Sequence, residues 1–124
     1  MIPENAIIES ARDLAETHDI KYPHKVCAII YDKRRTIVGV GLNKPHKTHP
    51  KANTPYKTIH AEFAAILDAE RSYGLSGRKG LSIYVHRVRR DGKDGMSKPC
   101  RYCSVALSWA GVENVYWSVN DDDR

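Results

Sequence analysis

Two connections of helical length, each lying between β-branched runs, restrict this chain to a small set of folds. Strand-like runs are predicted at 26–31, 36–40, 81–88 and 112–119. Apolar residues at helical spacing predict helices at 5–18, 59–73 and 100–109. Helical crossovers before the third and fourth strands predict parallel neighbours at both places. The order α-β-β-α-β-α-β therefore predicts an α/β fold, with a mixed sheet of about four strands and helices on both faces.

The length of 124 residues fits one domain, which we expect to span residues 1–124. No apolar run is long enough to cross a bilayer, and the first five residues lack the features of a secretion signal. Three cysteines are an odd count, and two of them form Cys100-x-x-Cys103. We therefore expect a reduced thiolate site in a cytoplasmic protein that has no membrane partner.

Basic residues are concentrated in two segments. The chain has 20 Lys and Arg against 15 Asp and Glu, a net charge of +5. No acid lies between Asp32 and Glu62, where there are seven bases, and the segment 78–101 has eight bases against two acids. Any single lysine in these segments can be explained as an ordinary residue of the solvated surface. Two such segments favour a ligand that carries phosphate, either a nucleotide or a nucleic acid, and we expect both to approach the same site.

Two short motifs each fall at the beginning of a predicted helix: His60-Ala61-Glu62 and Pro99-Cys100-Arg101-Tyr102-Cys103. Helix N-termini carry unsatisfied N–H groups and positive partial charge, so we expect lowered pKa values for the two thiols. Their i, i+3 spacing places both thiols on one helix face. His60 can complete a His-Cys-Cys set for tetrahedral Zn²⁺ with one open position. Glu62 can reach a water there without being a ligand.

Each motif alone has a simpler explanation. An H-x-E sequence commonly marks a helix start, where an acid is favoured by the helix dipole. A C-x-x-C sequence in a reduced protein also occurs in redox sites and in structural zinc sites. Together, in this order and each at a predicted helix N-terminus, they form the H-x-E…P-C-x-x-C pattern of zinc deaminases.

The chain resembles the zinc-dependent cytidine and deoxycytidylate deaminase superfamily over nearly all of its length. Besides the two motifs, segment 36–43 is similar to the second strand of the family and its G-x-N, and segment 110–118 is similar to the strand after the cysteine helix in deoxycytidylate deaminases. The resemblance implies a three-layer α/β/α cytidine deaminase-like sandwich. It also implies one Zn²⁺ held by His60, Cys100 and Cys103, with Glu62 as the catalytic acid and base. Compared with members of the family, the chain is short at its C-terminus. We therefore expect the fourth strand to form an open edge of the sheet.

The resemblance implies hydrolytic removal of the amino group from a cytosine ring. The histidine at position 60 resembles the first metal ligand of deaminases that act on deoxycytidylate and on nucleic acid. Our main prediction is therefore the conversion of dCMP to dUMP and ammonia. The resemblance implies that Asn43 holds the sugar and that the Ala61 N–H holds the base. Lys44 and Arg101 are expected to bind the phosphate through charge-assisted hydrogen bonds. Tyr102 either packs against the protein or, as we expect, stacks on the base. One alternative is a deaminase of cytosine or adenine in single-stranded DNA or RNA. A second is a non-catalytic, zinc-stapled module that binds nucleic acid.

Several further residues have two interpretations. Cys27 is predicted to be a small hydrophobe in the first strand rather than a fourth zinc ligand. His46 and His49 are either plain surface residues of the loop or residues that line the pocket. Tyr56, in the same loop, either packs against the protein or lines the pocket. The tryptophans, Trp109 and Trp117, are assigned to the core or to a subunit interface. We expect the protein to form a homo-oligomer. We also expect Thr58 to be the N-cap of the second helix.

Overall fold

A computed structural model gives the fold, and it describes residues 3–18, 24–44, 60–75 and 79–120. The predicted order of helices and strands is confirmed, with the addition of a two-residue strand between the third predicted strand and the third predicted helix. The elements in this part of the chain are α1 (Asn5–Glu16), β1 (His24–Tyr31), β2 (Ile37–Leu42), α2 (Ala61–Ser72), β3 (Leu81–Arg89), β4 (Asp94–Gly95), α3 (Arg101–Trp109) and β5 (Val112–Trp117).

The sheet is mixed, as predicted. β1 lies between β2 and β3 and pairs antiparallel with both, while β5 runs parallel to β3. β4 pairs antiparallel with the last part of β3. The parallel pairing predicted at the second crossover is therefore confirmed. The one predicted at the first crossover is wrong, because β1 forms a hairpin with β2 and lies between β2 and β3.

Helices cover both faces of the sheet, which gives three layers. On one face, α1 packs its buried stripe against β1 and β3 in a core of Ile7, Ala11, Ala15, Cys27, Ile29, Tyr31, Tyr84 and Val88. On the other face, α2 and α3 pack on Ala28, Ile30 and Ile83. Successive strand residues point to opposite faces, so one strand supplies both cores. Each fully buried isoleucine contributes about 2 kcal/mol.

Two glycines let α2 lie unusually close to β2. A Cβ atom on Gly39 would lie 2.6 Å from the carbonyl oxygen of Ala65, and one on Gly41 would collide with the backbone of Ala61 and Ala65. The alanines along this face of α2 complete the close contact. The beginning of α2 is thereby fixed at the end of β2.

The helix bounds differ slightly from the prediction. α2 begins at Ala61 with His60 as its N-cap, instead of Thr58, which lies outside the described residues. α3 begins at Arg101 with Cys100 as its N-cap. The three helices have 9 to 12 residues, and none in the described ranges has the length and apolar character needed to cross a bilayer.

Candidate active site

The N-termini of α2 and α3 lie on the same face of the sheet, and their N-cap residues are His60 and Cys100. Both residues have the extended backbone of an N-cap, with φ −71° in each. Neither side chain makes a capping hydrogen bond to its own helix. Both side chains instead point to a common position, where Cys103 from the first turn of α3 joins them.

The three side chains are spaced like the corners of a zinc tetrahedron. His60 Nδ1 lies 3.6 Å from Cys100 Sγ and 3.4 Å from Cys103 Sγ. All three atoms lie within 4.8 Å of one another. Tetrahedral zinc with Zn–S bonds of about 2.3 Å and Zn–N bonds of about 2.0 Å has N···S edges of about 3.5 Å. The residues present therefore fit a zinc ion with one position left open.

The charges around the cluster favour a bound cation. Burial lowers the pKa of His60, which favours the neutral ring, the form that binds a metal. Burial first, and then the nearby negative charges of Glu62 and Cys100, raise the pKa of Cys103 far above that of a free thiol. The predicted lowering is therefore wrong for Cys103, because desolvation outweighs the helix dipole. A cation bound between the ligands reverses this and stabilises the thiolate.

Glu62 is a buried carboxylate in the first turn of α2, and only 6% of its surface is exposed. Its side chain is in hydrogen-bonding contact with Cys103 and with its own backbone N–H. Burial raises the pKa of Glu62, and the two hydrogen bonds offset only part of this rise. Glu62 does not belong to the three-residue cluster. An acid in this position can accept a proton beside the metal and return it.

Asn43 follows β2 and lies one pleat beyond Gly41, at the end of the strand where α2 begins. Its side-chain oxygen accepts a hydrogen bond of 3.0 Å from the N–H of Val26. Its backbone oxygen lies 2.7 Å from Nε2 of His18. The two contacts fix the position of Asn43. The contribution of His18 was not predicted, because a single polar residue after a helix carries no sequence pattern.

Of the other predicted substrate residues, Ala61, Arg101 and Tyr102 lie at the beginnings of the same helices, whereas Lys44 follows β2. Ala61 is buried. Its backbone N–H lies in the first turn of α2, where N–H groups have no acceptor within the helix. Lys44 is exposed and follows Asn43 directly. Arg101 and Tyr102 are exposed in the first turn of α3, next to Cys100 and Cys103.

A network of serines holds the segment that leads into Cys100. Ser97 Oγ donates to the carbonyl of Val85 at 2.6 Å, and Ser118 Oγ donates to the carbonyl of Gly95 at 2.6 Å. The two hydroxyl oxygens are 2.9 Å apart. The segment is thereby tied to β3 and to the end of β5, which fixes the start of α3. Isolated serines carry no pattern, so this support was not predicted.

A second buried polar network lies on the α1 face, opposite the cluster. His86 Nε2 lies 2.8 Å from Asp94 Oδ1, and His86 Nδ1 lies 2.8 Å from the hydroxyl of Tyr84. Arg12 of α1 approaches the same Asp94 oxygen at 3.8 Å. This network joins β4 to β3 and α1, and it holds the other side of the 89–99 loop.

The described residues of the two basic segments do not all lie near the cluster. Arg101 follows Cys100, as expected. The expectation is wrong for Lys33, Arg34 and Arg35, which lie in the turn between β1 and β2. The full length of β2 separates this turn from the beginning of α2. The remaining bases of the first segment after Lys44 lie outside the described residues, together with His46, His49 and Tyr56.

The structure also decides three of the open interpretations. Cys27 is fully buried on the α1 face, where burial raises its pKa to about 12, so it lies apart from the cluster. Trp117 packs on the core beneath α2 and α3. Trp109, in contrast, is 89% exposed at the end of α3 and is not a core residue.

Comparisons with known proteins agree with this geometry. The sequence matches the family model of the cytidine and deoxycytidylate deaminase zinc-binding region over residues 1–119. A comparison with curated proteins finds no significant match.

Solved structures share the fold. The dCMP deaminase from the cyanophage S-TIM5 is 24% identical, with 96% of this chain and 87% of that chain covered and a TM-score of 0.57. A mutant cytidine deaminase from Mycobacterium tuberculosis is 21% identical, with coverage of 95% and 86% and a TM-score of 0.61. The guanine deaminase from Bacillus subtilis is 21% identical, with coverage of 95% and 65% and a TM-score of 0.61.

By their names, the three proteins act on a nucleotide, a nucleoside and a free base, so the shared fold does not choose a substrate. The family match, in contrast, covers both motifs and every residue of the cluster. It identifies zinc as the metal that the cluster fits, and hydrolytic deamination as the reaction class. The chain belongs to the cytidine and deoxycytidylate deaminase family.

Proposed function

We propose that this protein deaminates a phosphorylated cytosine nucleotide, dCMP, to dUMP and ammonia. The observation that carries the deaminase reaction is the contact of buried Glu62 with Cys103, one of the three members of the His60, Cys100 and Cys103 cluster. A purely structural zinc site has no use for a buried acid at this point. Glu62 therefore favours the enzyme over the non-catalytic, zinc-stapled module.

The proposed chemistry divides the work between the metal and Glu62. Zinc bound by His60, Cys100 and Cys103 supplies the Lewis acidity that makes a water molecule nucleophilic near neutral pH. Glu62 takes a proton from this water and delivers it to N3 of the ring as the water oxygen bonds to C4. Glu62 then takes the second proton of the water from the new hydroxyl group on C4 and carries it to the amino group, the C4–N bond breaks, and ammonia leaves a uracil ring.

The proposed substrate contacts come from the residues around the helix starts. The N–H of Ala61 donates to the carbonyl of the base, and Asn43 holds the sugar. Arg101 and Lys44 are exposed cations that can form charge-assisted hydrogen bonds with a 5′-phosphate. The cyanophage dCMP deaminase, 22% identical with a TM-score of 0.55, has been solved with dCMP and dUMP. The two exposed cations support a nucleotide rather than a nucleoside.

A substrate panel tests this proposal. Zinc-loaded protein is given dCMP, deoxycytidine, CMP, cytidine and a short deoxycytidine oligonucleotide, and ammonia release is measured. We expect the highest kcat/KM with dCMP, and we expect the advantage over deoxycytidine to shrink as salt screens the phosphate contacts. Arg101→Ala should lower kcat/KM for dCMP more than for deoxycytidine, with Arg71→Ala on the far end of α2 as the control. Equal rates on nucleotide and nucleoside would contradict the proposal.

The second candidate is deamination in single-stranded nucleic acid. It is favoured by Tyr102, which is 45% exposed beside Cys103, where an aromatic ring can stack on a neighbouring base. The same panel decides between the two. If the oligonucleotide is the faster substrate and its rate falls steeply with salt, the nucleic-acid function replaces the dCMP proposal.

We also propose a homo-oligomer that uses the exposed face of α3. Trp109 is 89% exposed and Val105 is 54% exposed, one turn apart on the same helix. Exposed apolar groups of this size commonly mark an interface. Light scattering after gel filtration should show more than one chain per particle, and Trp109→Glu should reduce the mass to that of one chain. A wild-type monomer at high concentration would contradict this.

A further inference from the structure

The turn between β1 and β2 borders a surface cavity that is separate from the zinc cluster. The cavity has a volume of about 320 Å³ and is lined by Asp32, Lys33, Arg34, Lys79 and Leu81. This volume lies at the lower end of the range for small-ligand sites. β2 and its flanking residues extend for roughly 20 Å between this turn and Asn43, at about 3.3 Å per residue. A ligand here therefore does not share the position of the substrate.

In the described part of the chain, the cations around the cavity outnumber its single acid. In the described ranges, Lys33, Arg34 and Lys79 form no ion pair with a carboxylate. Their neighbour Arg35, in contrast, pairs with Glu4 at 3.6 Å. Three cations and the single carboxylate of Asp32 leave a local charge of +2 around the cavity. Unpaired cations lining a concave surface are suited to an anionic ligand.

Local backbone geometry builds this arrangement. Asp32 Oδ1 accepts hydrogen bonds of 2.9 Å from the backbone N–H groups of Arg34 and Thr36, so one oxygen of the acid closes the turn. Gly80 has φ 74°, and the side chain of Lys33 lies where a Cβ on Gly80 would be. A larger residue at position 80 would displace Lys33 from the cavity. Leu81 forms an apolar floor and is 2% exposed.

We propose that this cavity binds a ligand with two or more linked phosphate groups. Three cations from two chain segments match the several oxygens of linked phosphates better than the oxygens of a single phosphate group. Arginine binds phosphate with two parallel hydrogen bonds, and lysine binds it as a point charge. The same phosphate chemistry is found in free nucleoside polyphosphates and in the backbone of a nucleic acid.

The test uses the zinc-loaded full chain with two probes, inorganic pyrophosphate and a single-stranded thymidine oligonucleotide. Each is titrated into ¹⁵N-labelled protein at low salt, and the amide shifts and Kd are measured. Zinc content after gel filtration is checked so that loss of metal to pyrophosphate is recognised. We expect amide shifts at residues 33, 34 and 79 with pyrophosphate. A stronger response to the oligonucleotide would identify nucleic acid as the source of the phosphates.

A charge-matched pair of variants makes the test specific. Lys33→Ala/Lys79→Ala and Lys25→Ala/Arg71→Ala each remove two positive charges, but only the first pair lines the cavity. We expect the first variant to weaken pyrophosphate binding by about tenfold or more and the second to leave it within about twofold. Equal weakening by both variants would show that net charge alone is responsible. That result, or the absence of shifts at residues 33, 34 and 79 in the wild type, would overturn the proposal.

Discussion

His60 and Cys100 occupy the two helix positions where a capping side chain would normally lie, and both are turned toward the metal cluster instead. A good N-cap residue such as serine or asparagine stabilises a helix by about 1 kcal/mol. The protein forgoes this stabilisation at α2 and α3. We infer that zinc binding compensates for the two missing caps.

This inference gives a prediction for two serine variants. Cys100→Ser and Cys103→Ser should both lose zinc, because each removes one ligand. Only Cys100→Ser places a capping hydroxyl at the N-cap of α3, so without zinc it should be more stable than Cys103→Ser by about 0.5–1 kcal/mol. Urea denaturation in the presence of a chelator measures the difference. Equal stability of the two variants would show that a capping hydroxyl at position 100 does not stabilise α3.

At the scale of the elements, the contact between α2 and β2 decides where His60 and Glu62 lie. Gly41 leaves no room for a side chain between the strand and the backbone of Ala61 and Ala65. The serine network around Ser97 and Ser118 has the same role for the start of α3. The two halves of the cluster are thus positioned by separate contacts, one for each helix.

Gly41→Ala should therefore damage the metal site as well as the fold. The added methyl group must push α2 away from β2, which costs about 1–3 kcal/mol and shifts His60 from the two cysteines. Gly92→Ala is the control, because Gly92 has φ 83° but no atom near its Cβ position. We expect the control to lose about 1 kcal/mol through backbone strain alone and to keep its zinc affinity. Competition with a chromogenic chelator measures that affinity, and equal zinc affinity in both variants would contradict this account.

At the scale of the whole molecule, the sequence predicted the features that repeat or that have a fixed spacing. Helical and strand periodicity gave the element order, and the two motifs gave the three residues that the structure brings together. Pairing between distant strands has no local signal, which is why β1 was not expected between β2 and β3. The pKa of Cys103 was mispredicted for a similar reason, since burial depends on the complete fold.

The placement of charge is also a property of the whole molecule. Lys33 and Lys44 belong to one basic segment in the sequence, yet β2 carries them to opposite ends of the sheet. The segment therefore serves two places: the surroundings of Asn43 and the cavity beside the β1–β2 turn. A count of charges along the chain does not distinguish these locations, because strand direction decides which bases lie together.

The most direct test of the central claim compares wild-type protein with Glu62→Gln, measuring zinc content and ammonia release from dCMP on the same samples. Glutamine keeps the shape of the side chain but cannot take up and return a proton. We expect one zinc per chain in both proteins, and a loss of kcat of about 10²–10⁴ or more in the variant. Ammonia release at the wild-type rate from zinc-loaded Glu62→Gln, or wild-type protein that binds no zinc, would contradict it.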